Sequence, residues 1–229
     1  MNKVSFFNTI SLFVIISLLV SCKKNYIIGG NREDVNMYKN LSTYDFLKAE
    51  PNYDTIILII NAAGLKDQIN KEGITFFAPS NYSIYNYLDK KSRLLQITNR
   101  DAKFPLDSLL YYISNNIAGI RDSVGMYIIN KMLTYSNLTN LGTVYPTQLA
   151  GDSAVVSYEY TKIPELGYNP LLSSTPRIVY YTHLWYPSPL SPINKGIPTR
   201  ITTSGIATKT GMVHEMEFDH ILFFYGTKR

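Results

Sequence analysis

Thr75-Phe76-Phe77-Ala78-Pro79-Ser80-Asn81 is the stretch on which the reading of this 229-residue chain turns. Ile74 to Phe77 is β-branched and aromatic, the composition of a strand with at least one buried face. Pro79 has no backbone donor and pushes Ala78 towards extended geometry, so the strand ends there. Ser80 or Asn81 then caps a helix that carries Ile84, Tyr85 and Leu88 inward. A second stretch near the far end answers the first. Gly211-Met212-Val213-His214 reads as a strand entered through a glycine turn, and Asp219-His220-Ile221-Leu222 leads into Ile221–Tyr225, apolar enough for another strand.

Between the two, helices come early and strands late. Leu41 to Glu50 places Leu41, Tyr44, Phe46 and Leu47 at helical spacing and stops before Pro51. Thr55 to Ala63 contains the run Ile56–Ile60, which fits a buried strand or a helix by periodicity. Asp54 as N-cap and Gly64 as a left-handed stop favour the helix. Residues 92–103 are polar and read as exposed. Asp107 caps a helix with Leu106, Leu109, Leu110 and Ile113 on one face, and Tyr111 and Tyr112 read as core packing. Residues 119–141 are the least legible; Met126 to Leu133 fits strand or helix. From Gly142, turn residues separate β-rich runs at 143–145, 154–161, 178–186, 199–203 and 212–217. This order argues an α+β fold rather than an alternating parallel sheet.

The two end segments together resemble the signature segments of the fasciclin domain. Thr75, Phe77, Ala78, Pro79, Ser80 and Asn81 match its T-x-F-A-P-[TS]-[ND] strand–turn–helix. Gly211, Val213, His214, Asp219 and Leu222 match its closing segment. The resemblance runs from about Leu41 to Tyr225. It implies a fasciclin-like twisted β-sheet wedge with a packed helical lobe, in which these residues are structural and His214 and Asp219 join the last strands to the core. The Ala63-Gly64-Leu65-Lys66-Asp67 turn also suits the family. A third segment departs from it: where the family ends a helix with L-x-Y-H, Leu110-Tyr111-Tyr112-Ile113 has tyrosine where the histidine is usual. The family's Tyr-His adhesion determinant therefore does not carry over.

Residues 1–21 read as a signal peptide, because Phe6 to Val20 is apolar but too short to span a bilayer. Leu19-Val20-Ser21-Cys22 looks like a bacterial lipoprotein box, with cleavage before Cys22 and diacylglycerol on its sulfur. Cys22 is the only cysteine, so the chain can form no intramolecular disulfide although export would permit one. The expected location is the outer membrane of a Gram-negative bacterium, anchored by lipid, at the cell surface or the periplasmic face. Residues 22–39 form a polar, glycine-bearing tether, and 40–226 a single domain with an enlarged, proline-rich insertion at about 164–198. Net charge is +5 and the pI about 9.1, yet the basic residues are scattered. A nucleic-acid binder needs them clustered, so that partner is excluded.

Catalytic motifs are missing: there is no G-x-S-x-G, P-loop, G-x-G-x-x-G or H-E-x-x-H, and no thiol outside Cys22. As a strand, His214, Met216, Phe218 and His220 would share one face, with the two histidines too far apart to ligate one zinc. No metal or cofactor is expected, and His183 is isolated. The candidate binding residues are Tyr180, Tyr181, Trp185 and Tyr186. Alternation puts Tyr180 and Tyr186 on one side and Tyr181, His183 and Trp185 on the other, beside a stiff loop, where aromatic area suits a sugar face or a protein hot spot. The functional expectation is a non-catalytic adhesion or protein-interaction module, meeting surface proteins or extracellular polysaccharide. Its alternatives are a glycan-binding accessory of an outer-membrane nutrient uptake system and an unrecognised enzyme.

Overall fold

The computed structural model describes residues 37–184 and 196–227. Helix α1 (Thr43–Ala49) opens on Ser42, whose Oγ accepts the Asp45 amide at 3.1 Å. A 3-10 turn at Pro51–Tyr53 runs straight into α2 (Asp54–Ala63), so Tyr53 holds the cap position and Asp54, expected there, is already helical. Gly64, at φ +68°, ends α2 in the left-handed conformation as its sequence predicts. A single turn, α3 (Lys66–Ile69), leads to β1 (Ile74–Ala78) and the long α4 (Asn81–Gln96). Helices α5 (Leu106–Ser114) and α6 (Ile120–Ser123) complete the helical half. Pro105 caps α5, and Asp107 sits in its first turn instead.

The strands follow: β2 (Ile128–Ile129), β3 (Thr143–Pro146), β4 (Ser153–Tyr160), β5 (Arg177–Leu184), β6 (Gly196–Ala207) and β7 (Gly211–Met216). They form one mixed sheet in the order β2-β1-β7-β6-β5-β4-β3. The two signature strands are its parallel neighbours, in register from Ile74↔Gly211 through Phe77↔His214 to Ala78↔Glu215. All other pairings between these strands are antiparallel. The two ends of the sheet curl towards each other and meet at a seam. Ile129 bridges Thr147, and the Gln148 amide donates to both Ile128 (2.9 Å) and Gly125 (3.1 Å). A Cβ on Gly125 would lie 2.9 Å from the Leu149 nitrogen, so only glycine lets the seam close undisturbed.

One core joins helices and sheet: Phe46, Leu47, Ile56, Ile59, Ile60, Ile74, Phe76 and Leu109 are all fully buried or nearly so. Each contributes about 1.5–3 kcal/mol by leaving water. In α4 the inward stripe is Ile84, Tyr87 and half-buried Leu88; Tyr85 points outward at 63% exposure. Residues 84 and 87 sit one turn apart on one face, and residue 85 is rotated about 100° off it. The same geometry overturns the packing reading of α5. Leu109 and Ile113 take the core face, leaving Tyr111 61% and Tyr112 36% exposed.

One further expectation changes. Ile221–Tyr225 is no strand: Leu222–Phe224 form a 3-10 turn in which Phe223 (φ 60°) and Phe224 (φ 52°) are left-handed. The region at 164–198, read as an enlarged insertion, contains β5 and the first residues of β6, with His183↔Ile197 and Thr182↔Pro198 in register. The signal peptide, Cys22 and most of the tether lie outside the described residues.

Candidate functional site

The signature residues build the junction between sheet and helices. Thr75 Oγ1 donates to the Lys131 carbonyl (2.7 Å) and accepts the Leu133 amide (2.8 Å), tying β1 to the segment after β2. Phe77 packs on Tyr181 at 4.6 Å and stacks on its register partner His214 at 5.2 Å. Ala78, Pro79 and Val213 are buried. Ser80 stands at the N-cap of α4 without making the capping bond, and Asn81 acts as a staple instead. Its Oδ1 accepts the Thr55 amide (2.9 Å) and its Nδ2 donates to Pro51 (2.8 Å). Gly211 leaves room for the backbone of β1, since a Cβ there would fall 2.5 Å from the Ile74 carbonyl oxygen. Leu222 is fully buried. Asp219 is exposed and does not join the last strand to the core.

All three histidines are buried. His214 donates from Nε2 to the Leu133 carbonyl (3.0 Å) and accepts the Gly205 amide at Nδ1 (3.3 Å), which fixes the neutral tautomer. Burial lowers its pKa to about 4, against the smaller opposing pull of the Leu133 carbonyl. His220 lies beyond the end of β7, not on its face as expected. Burial, with His183 nearby, lowers its pKa to about 3. Tyr127 is fully buried and lies 2.8 Å from His220 Nε2, while its oxygen accepts the Phe223 amide at 2.7 Å. Phe224 stands between His220 and His183, at 4.6 and 4.7 Å. His183 is not isolated: its Nδ1 is 3.4 Å from Asp152, whose other oxygen accepts the Thr147 hydroxyl at 2.7 Å. Burial holds the Asp152 carboxyl above the usual range, with Thr147 and His183 opposing. This chain of rings and polar groups sews the terminal turn to the sheet. Among the described residues no cluster of His, Cys, Asp or Glu is placed to hold a metal ion.

The four candidate binding residues separate. Tyr181 is core, with no exposure and its hydroxyl donating to the Met126 carbonyl. Tyr180, on the opposite face of β5, is half-buried, and burial raises its pKa. Trp185 and Tyr186 lie outside the described residues. Strand alternation was sound, but it carries no information about which row faces inward.

An open site lies elsewhere. A concavity of about 210 Å³ is walled by Tyr87, Lys91, Phe104, Tyr112, Phe223 and Tyr225, with Ala118 and Ile120 also in its lining. The rings meet edge to face: Tyr87 against Phe104 at 77°, against Tyr225 at 72° and against Phe223 at 86°, and Phe104 against Tyr112 at 74°. Lys91 Nζ sits 4.8 Å from the Tyr225 ring centre and 5.8 Å from that of Phe104. Among the described residues the non-glycine left-handed positions are Asn116, Ala118, Phe223 and Phe224. Ala118 and Phe223 line this concavity, Phe224 follows Phe223 directly, and Asn116 lies two residues before Ala118. Such conformations cost about 1–3 kcal/mol each and gather at functional sites. The only sequence signal was Tyr112, set aside as packing.

No curated protein matches the chain. Among solved structures it is similar to a FAS1 domain pair from the insect cell adhesion molecule fasciclin I. The two share 18% identity over 74% of this chain and 44% of that one, with a TM-score of 0.41. The chain thus spans less than half the length of that structure. The sequence profile of the fasciclin domain matches residues 51–218 and takes in both signature strands. The chain belongs to the fasciclin domain family.

Proposed function

We propose that this protein is an exported, lipid-anchored, non-catalytic adhesion module, fixed through Cys22 to the outer membrane of a Gram-negative bacterium. One observation carries the reading. The three histidines and Asp152 are bound up in the core junction, and the concavity, which offers ring faces, phenols and one lysine, has no histidine or carboxylate in its lining. That is equipment for recognition rather than reaction. Family membership supports the same view, since fasciclin domains are in general binding modules without catalysis. The L-x-S-C box supports the anchor. Tethering concentrates the module at the surface, so a weak contact becomes effective when many copies act together.

The test pairs chemical labelling with adhesion. Cells expressing the natural chain should incorporate a fatty-acid analogue at Cys22, carry the protein in the outer-membrane fraction and adhere to immobilised surface polymer. Cys22→Ala should abolish all three while the protein remains folded. An unlabelled natural chain sinks the anchor, and adhesion independent of the protein sinks the adhesion role. The alternative, a glycan-binding accessory to nutrient uptake, draws support from the aromatic lining. It predicts slower growth on a particular polysaccharide when the protein is deleted.

A further inference from the structure

The concavity beside α4 holds more hydrogen-bonding capacity than the protein uses. Among the described residues, Lys91 and the hydroxyls of Tyr87, Tyr112 and Tyr225 make no hydrogen bond or ion pair with the rest of the chain, and no carboxylate is in the lining. Burial first, and then the neighbouring Tyr225 and Tyr112 phenols, push the Tyr87 pKa up to about 12. Three phenols, those of Tyr87, Tyr112 and Tyr225, thus share one lining with Lys91. An apolar acyl chain would leave them all unpaired, and a neutral sugar would leave the charge unanswered. A peptide would bring backbone amides and carbonyls needing partners, yet the wall is made of α4, residues 104–123 and the terminal turn, with no free strand edge. The volume is below the roughly 300 Å³ at which drug-sized pockets begin, which suits a single ring.

We propose that this concavity is a subsite for one hexuronate ring of an acidic polysaccharide. The ring's apolar C–H face lies against the aromatic walls, and its carboxylate meets Lys91 and the phenolic hydroxyls. The left-handed backbone at Ala118 and Phe223 holds both sides of the site in a conformation the chain would not otherwise choose. This assignment rests on the binding role proposed above and gives it a ligand class.

The probe is tetragalacturonate, titrated by calorimetry into the full lipid-bearing chain in detergent micelles, with its fully methyl-esterified form as the neutral counterpart. The acid should bind saturably, and the ester about tenfold more weakly, the discrimination expected of a charge-assisted contact. Lys91→Gln should weaken acid binding by about the same factor, leave ester binding unchanged and keep the natural unfolding midpoint. Tyr112→Ala, at a half-open position, removes both a ring wall and a hydroxyl and should weaken both ligands, the acid more than the ester. Three results would overturn the assignment: no saturable heat from the acid, equal binding of acid and ester, or undiminished binding by Lys91→Gln. Benzoate binding as tightly as tetragalacturonate would also remove the sugar and leave only a carboxylate site. Failure here with Cys22-dependent adhesion intact discards the ligand and keeps the adhesion role. Loss of adhesion with uronate binding intact does the reverse.

Discussion

Tyr127→Phe deletes one oxygen from the core and orphans two groups. The phenolic oxygen accepts the Phe223 amide at 2.7 Å and pairs with His220 Nε2 at 2.8 Å. Phenylalanine keeps the ring and its stacking near Phe224 at 6.4 Å, so little packing is lost. What remains is a buried imidazole nitrogen and a half-buried amide, both without that partner. Each buried orphan costs about 1–3 kcal/mol, and the amide falls at the low end because Phe223 is partly exposed. The sum is about 2–4 kcal/mol, or about 5–15 °C in melting temperature for a domain of this size. Urea unfolding followed by circular dichroism measures it, with the exposed Tyr111→Phe as a control expected within about 0.5 kcal/mol. A Tyr127→Phe loss no larger than the control's would refute the reasoning. It would mean that water or a tautomer change replaces the hydroxyl, and that the terminal turn is not held by this pair.

Acid should destabilise the fold as pH falls below about 6.5. His214 and His220 have folded pKa values lowered to about 4 and about 3, against roughly 6.5 unfolded, so below pH 6.5 the unfolded chain binds more protons. Their contribution is complete above about pH 6.5 and is lost as pH falls, by about 2–3 kcal/mol for the pair between pH 6 and pH 5. Urea midpoints across that window read it directly, and a flat profile contradicts buried neutral histidines. Gly125→Ala should open the seam. The new Cβ meets the Leu149 nitrogen and the Gln148 carbonyl carbon at 2.9 and 3.0 Å, so about 1–3 kcal/mol is lost and the Gln148 amide exchanges faster. Unchanged Gln148 protection would show that the seam does not need glycine.

What the sequence made legible was punctuation and composition. Pro79 and Gly64 ended their elements where expected, because each acts through its own backbone. Faces were harder. Tyr85, Tyr111 and Tyr112 are apolar enough for a core, but a helix buries one stripe, and the neighbours Ile84, Tyr87, Leu109 and Ile113 take it. The cap at Asp54 failed because a 3-10 turn had already begun the helix before it. The terminal run Ile221–Tyr225 has strand composition, and contacts from elsewhere in the chain, the Tyr127 hydroxyl on the Phe223 amide among them, hold it as a turn. The aromatic concavity was out of reach, since its walls come from α4, residues 104–123 and the terminal turn. Nothing in Ala118 or Phe223 announces a left-handed backbone.

The parallel pairing of β1 with β7 has a consequence in time. Ile74 cannot find Gly211 until nearly the whole domain has been synthesised. Until then β1, buried along its full length in the finished fold, has only the two-residue β2 beside it and presents an apolar, unpaired edge. Pairings of such long sequence separation form slowly, and the waiting chain is prone to aggregate. The last strand is thus the rate-setting piece, and the first half of the domain must be kept from other chains until it arrives.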